Sequence, residues 1–125
     1  MPSIAAISLF TEDLAASKTF YTKALSSSVV FEDEACCVVK FDNLLLNLLS
    51  VTAATDLVGK DGVAKRDSGN RCQFSIWVDD VDAEVEKLKA KGVKFLIEPT
   101  TMPWGKRIAT FEDPAGHNWE VAQNE

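Results

Sequence analysis

The chain has 125 residues, 46% hydrophobic and 26% charged, with 13 basic against 19 acidic side chains and a formal net charge of −6. That length buries about two-thirds of the surface an unfolded chain exposes, enough for one domain or two very small repeats. The acidic balance argues against nucleic acid, no apolar run reaches the roughly 20 residues of a membrane helix, and "MPSIAAISLF" lacks the pattern of a signal peptide, so a cytoplasmic protein is expected.

The first predicted element is a strand through Ile7–Phe10, followed by Asp13 as the N-cap of an amphipathic helix. Leu14, Phe20, Tyr21 and Leu25 form the expected apolar stripe of that helix, and "SSS" (26–28) stands where a glycine stop is usual. Strand signals follow in "VVFED" (29–33), "CCVVKFD" (36–42) and "LLLNLLS" (44–50). The stretch 52–70, rich in Gly, Ala and charge, reads as a short helix and a surface linker. The pattern then starts again. "FSIWV" is a strand, Asp80 an N-cap, and Val81, Val85 and Leu88 recur at helical spacing, while Glu84, Glu86, Lys87, Lys89 and Lys91 face water. Gly92 stops the helix, and "VKFLIE" (93–98), "KRIATFED" (106–113) and "NWEVA" (118–122) complete the strands.

Placing 7–25 above 74–92, an offset of 67, puts Ser8 on Ser75, Leu9 on Ile76, Phe10 on Trp77, Asp13 on Asp80 and Ala16 on Ala83. Further on, Asn47 falls on Glu120. The chain is therefore expected to be a β-α-β-β-β module (1–51), a linker (52–70) and a second such module (71–125), of α+β class. A four-stranded sheet covered on one face leaves the other open, so two modules must close on each other or on another chain.

Three cysteines cannot all pair within the chain, and Cys36 and Cys37 point to opposite faces of any strand they share. Buried reduced thiols are expected. His117, the single histidine, lies three residues before Glu120 and so faces away from it, as a residue of the turn or the helix side.

"LFTEDLAASKTFY" (9–21), "FSIWVDDVDA" (74–83) and above all "PWGKRIATFEDPAGHNWEVAQ" (103–123) resemble the vicinal oxygen chelate superfamily, which includes glyoxalase I, extradiol dioxygenases and bleomycin-resistance proteins. The resemblance covers nearly the whole chain. It implies that the modules pair into an eight-stranded cupped sheet with helices outside, commonly in a homodimer, with a divalent metal held from the first and last strand of each module. Those ligand positions correspond here to Ala6, Asn47, Gln73 and Glu120. Gln73 and Glu120 are the candidate metal ligands, since Ala6 has no donor atom and Asn47 offers only an amide.

Alternation places Ala6, Ser8 and Phe10 on one face, with Gln73, Ser75 and Trp77 in the second module and Asn118 and Glu120 beside them. The expected ligand cavity is lined by Phe10, Leu45, Asn47, Gln73, Ser75, Trp77, Arg107 and Glu120, with Trp104 of the "PWG" loop as a lid. Phe10 and Trp77 would flank a planar or cationic ligand. Two readings follow. The first is a small-molecule binding protein of the glyoxalase and bleomycin-resistance type, with a degenerate metal site and no required cofactor. The alternative is a glyoxalase I-like lyase dependent on Ni, Zn, Mn or Fe, with Glu120 as ligand or catalytic base.

Overall fold

The computed structural model describes residues 1–123. The chain divides into two compact units, Met1–Ser68 and a second that starts at Gly69. The first contains β1 (Ala6–Thr11), α1 (Leu14–Thr19) continued by a π-helical turn (Phe20–Ala24), β2 (Ser28–Glu32), β3 (Cys36–Lys40), β4 (Leu45–Ser50) and α2 (Val51–Val58). The second contains β5 (Phe74–Val78), α3 (Val81–Ala90), β6 (Phe95–Thr101), β7 (Arg107–Glu112) and β8 (Asn118–Gln123). The duplicated β-α-β-β-β order is thus present, and the class is α+β.

Each unit forms a four-stranded mixed sheet, in the orders β1-β4-β3-β2 and β5-β8-β7-β6. The first strand of each runs parallel to the last, and the other pairs are antiparallel. A helix carries the chain across the sheet after its first strand. Two hairpins then bring it back, one strand at a time, to lie beside that strand.

The caps explain where the helices begin. Asp13 accepts from the Ala16 amide at 3.0 Å and Asp80 from the Ala83 amide at 3.1 Å, each filling the first free donor of its helix. Ser50 does the same for α2 through Ala53.

The core lies between each sheet and its helix. In the first unit Leu9, Leu46, Leu48, Cys37 and Val39 pack on the side of Tyr21 and Ala24; in the second, Trp119, Val121, Ala109 and Phe111 pack on the side of Val81, Val85 and Leu88. Each large side chain so buried contributes about 1.5–3 kcal/mol of transfer free energy. Trp119 is also held between Phe74, at 4.9 Å, and Phe111, at 6.4 Å between ring centroids.

The first helix departs from its expected stripe. Ser17, Tyr21 and Ala24 are its buried residues, whereas Leu14, Phe20 and Leu25 are half-buried. The π turn widens the helix after Thr19 and rotates its later residues away from a regular 3.6-residue face. The Ser17 hydroxyl belongs in this core because it donates to Thr11 Oγ1 at 2.7 Å. Ser26 then takes the left-handed conformation, at φ 56°, that Gly92 takes at φ 91° after α3. Cys72 is a correction too: it stands exposed before β5, while Cys37 is buried and Cys36 half-buried.

Candidate functional site

The face of each sheet opposite its helix carries most, though not all, of the residues singled out above. In the first unit, β1, β4 and β3 set Ala6 beside Leu45 and Lys40, then Ser8 beside Asn47 and Val38, then Phe10 beside Leu49 and Cys36. In the second, β5, β8 and β7 set Ser75 beside Glu120 and Thr110, then Trp77 beside Ala122 and Ile108. The rungs correspond one to one, because the two modules share strand order and register.

Two polar pairs occupy equivalent rungs. Ser75 donates its hydroxyl to Glu120 Oε2 at 2.6 Å, and Asn47 Nδ2 donates to Ser8 Oγ at 3.3 Å. The amide oxygen of Asn47 is buried without a hydrogen-bond partner. An orphaned acceptor of this kind costs about 1–3 kcal/mol, so the first unit retains a polar group its own packing does not satisfy.

Within each module the two positions aligned with metal ligands lie on neighbouring rungs of adjacent strands. Ala6 is level with Leu45, one rung from Asn47. Gln73, one rung from Glu120, turns aside and donates from Nε2 to Asn118 Oδ1 at 2.8 Å. Among the described residues no three His, Cys, Asp or Glu side chains lie where they could hold one ion. One carboxylate, two amides and an alanine do not fit a catalytic divalent metal, which draws on imidazole, thiolate and carboxylate.

The aromatic residues divide. Phe10 is half-buried, whereas Trp77 is 65% exposed and Trp104 71% exposed. Trp104 sits at the tip of the β6–β7 hairpin, whose turn is closed by the Gly105 amide on the Met102 carbonyl at 2.8 Å. Leu45 is half-buried and Leu49 buried.

Arg107 is not on this face. Ile108 stands beside Ala122, so Arg107, its neighbour along β7, points to the helix side. There it grips Asp82 of α3 with Nε to Oδ2 at 2.7 Å and an Nη to Oδ1 at 2.9 Å. This contact raises the Arg107 pKa and holds the Asp82 carboxyl below its ordinary value. In the second module it is Lys106 that lies against the open-face indole, its Nζ 4.7 Å from the centre of the Trp77 ring. Counting the strand parity back from Thr110, the partner of Glu120, distinguishes the two.

Cys36 shares a rung with Leu49 and Phe10. Burial, and next the neighbouring Asp33 carboxylate, push its thiol pKa up, which disfavours the reactive thiolate. His117 is occupied elsewhere. Its Nδ1 lies 2.8 Å from Oδ2 of Asp113, which is 2% exposed and also accepts from the amides of Ala115 and His117. Asp113 thereby organises the whole "DPAGH" turn, a role that its place in the sequence motif does not reveal.

In the first unit a recess of about 340 Å³ lies beside α2 and the linker, where Glu12, Thr52, Thr55, Lys60 and Lys65 contribute to its walls. No helix among the described residues is long and apolar enough to cross a membrane.

A family model described as Glyoxalase/Bleomycin resistance protein/Dioxygenase superfamily matches residues 3–121. A probable chloroplastic lactoylglutathione lyase of Arabidopsis thaliana is 44% identical over 64 residues, a match spanning 50% of this chain and 18% of that protein. Among solved structures, a glyoxalase/bleomycin resistance protein/dioxygenase from Nocardioides superposes with TM-score 0.87 at 26% identity, over 98% of this chain and 83% of that one. A glyoxalase-related enzyme from Fulvimarina pelagi gives TM-score 0.84 at 26% identity, over 99% and 89%. The duplicated modules, their registers and these likenesses agree, and the chain belongs to the Glyoxalase/Bleomycin resistance protein/Dioxygenase superfamily.

Proposed function

We propose that this protein binds a small organic molecule on the open face of its sheets, without needing a metal. The observation that carries the reading is the rung formed by Glu120 and Ser75, next to a Trp77 ring left 65% exposed. A flat apolar surface beside a fixed hydrogen-bond acceptor suits a ligand with an aromatic body and a polar edge. In the second module Gln73 and Trp104 are further proposed contacts. The first module offers, on the open face of its own sheet, the unsatisfied oxygen of Asn47 with Phe10, Leu45 and Leu49 on the same face. A cytoplasmic homodimer is the form in which the protein is expected to act.

Thermal melting of chelator-treated protein against a broad panel of hydrophobic and aromatic compounds tests this reading. Stabilisation by at least one compound, lost in Trp77→Ala, is the expected result. A panel that leaves the melting temperature unmoved sinks it.

The lyase name of the Arabidopsis relative and the presence of a carboxylate at Glu120 favour a second reading, a metal-dependent glyoxalase-type lyase. Calorimetric titration with Ni²⁺, Zn²⁺ and Mn²⁺, beside Glu120→Gln, separates the two. Tight binding lost in the variant would establish the lyase reading and require a further ligand from a second copy; absent or variant-insensitive binding leaves Glu120 as an anchor for an organic ligand.

A further inference from the structure

The small-molecule reading leaves open the charge of the ligand, and Lys106 bears on it. Its ammonium lies 4.7 Å from the centre of the Trp77 ring. Among the described residues it forms no ion pair, unlike Arg107, whose guanidinium is committed to Asp82. The exposed indole is therefore already occupied, on one side, by a cation of the chain itself. A cationic ligand stacking there would have to displace Lys106 or lie against a like charge. An anionic ligand meets an ammonium with no competing carboxylate partner and a flat ring to lie on.

The opposite chemistry lies close by. Trp77 shares its rung with Ala122, and Glu120 is two residues back along β8, about 7 Å at the usual rise of a strand. Glu120 Oε2 already accepts from Ser75, and the carboxylate has further lone pairs that only a donor can satisfy.

We propose that Lys106 and Trp77 form an anion-selecting subsite. The planar, negatively charged end of a ligand stacks on the indole and pairs with the Lys106 ammonium, while a hydrogen-bond donor elsewhere on the same ligand meets Glu120. The proposal rests on the small-molecule reading but fails separately from it.

The test is fluorescence titration of the full, chelator-treated chain with two probes that share one ring system. Anilinonaphthalene sulfonate carries a negative charge, and N-phenylnaphthylamine lacks it. The wild type should prefer the sulfonate, and the preference should shrink as salt is added. Lys106→Met should weaken sulfonate binding about fivefold, the scale of one partly exposed charge contact, and leave the neutral probe unchanged. Lys106→Arg should restore it, and Trp77→Leu should weaken both probes. Equal affinity for the two probes, or a sulfonate affinity insensitive to Lys106→Met or to Trp77→Leu, overturns the subsite while leaving small-molecule binding intact. Failure of both probes to bind overturns the subsite and counts against the small-molecule reading with it. Melting curves of the variants identify any that fail to fold, and Lys106→Gln then replaces Lys106→Met.

Discussion

The first module presents Ser8, Asn47 and Val38 on the rung where the second presents Ser75, Glu120 and Thr110. One rung on, Phe10, Leu49 and Cys36 stand against Trp77, Ala122 and Ile108. The backbones repeat, and so does the serine of each polar pair. Its partner is a carboxylate in one module and an amide in the other, and one aromatic is half-buried while its counterpart is open. Strand pairing constrains where these side chains sit, and Leu49, Thr110, Ile108 and Ala122 are buried even on this face. Its exposed and half-buried positions, Trp77, Phe10, Asn47 and Glu120, are where a difference between the modules carries information about ligands.

The sharpest way to break that distinction is to cut a tryptophan from each face of the second module. Trp119→Ala, on the helix side, should cost about 3–5 kcal/mol in denaturant unfolding, whereas Trp77→Ala should cost less than about 1 kcal/mol. Comparable losses would mean that the open face is part of the core. The hairpin before the last strand offers a second contrast. Asp113→Ala removes the acceptor of two amides and the partner of His117 and should destabilise by about 1–3 kcal/mol. Asp42→Ala, at the exposed corresponding turn, should stay within about 0.5 kcal/mol.

Next in size is the polar rung itself. Asn47→Leu removes an orphaned acceptor at the cost of a long, exposed bond to Ser8, and should raise stability by about 1 kcal/mol while weakening ligand binding. Glu120→Gln keeps an acceptor for Ser75 and should move stability less. The helix stops differ by a smaller amount: Ser26→Gly should stabilise and Gly92→Ser destabilise by about 0.5–1 kcal/mol each, since both positions are left-handed. No atom stands within 4 Å of a side chain added at Gly92, so that cost is conformational.

The smallest effect concerns acid. Asp33 is held below its ordinary pKa by the amides of Ala35 and Cys36, and Asp82 by Arg107. Each depressed carboxylate adds stability above the ordinary carboxylate range, and that stability is lost as pH falls through its folded value. Asp82→Asn should flatten the acid limb slightly at low salt but not at high salt. Asp33→Asn should do so at both, because amide hydrogen bonds are screened far less than an exposed ion pair.

The duplicated modules were legible because apolar periodicity and acidic caps report what packing requires. Helix starts at Asp13 and Asp80 follow directly from local chemistry. The site was less legible, and Arg107 shows the reason. Lys106 and Arg107 are adjacent and both basic, so only the register of β7 against β8 tells which one shares the face of Glu120. Gln73 illustrates a different gap: it stands just before β5, and the amide of Asn118 captures its side chain. Asp113 looked like the end of a strand because its partners are backbone amides, which no composition reveals.

The π turn at Phe20–Ala24 absorbs a difference in length between the modules. The first module has fourteen residues from its cap at Asp13 through its left-handed stop at Ser26, and the second has thirteen from Asp80 through Gly92. A single extra residue therefore separates the two copies, and the widened turn accommodates it between the cap and the stop. A module can thus carry one more residue inside a packed helix and keep the same strand register.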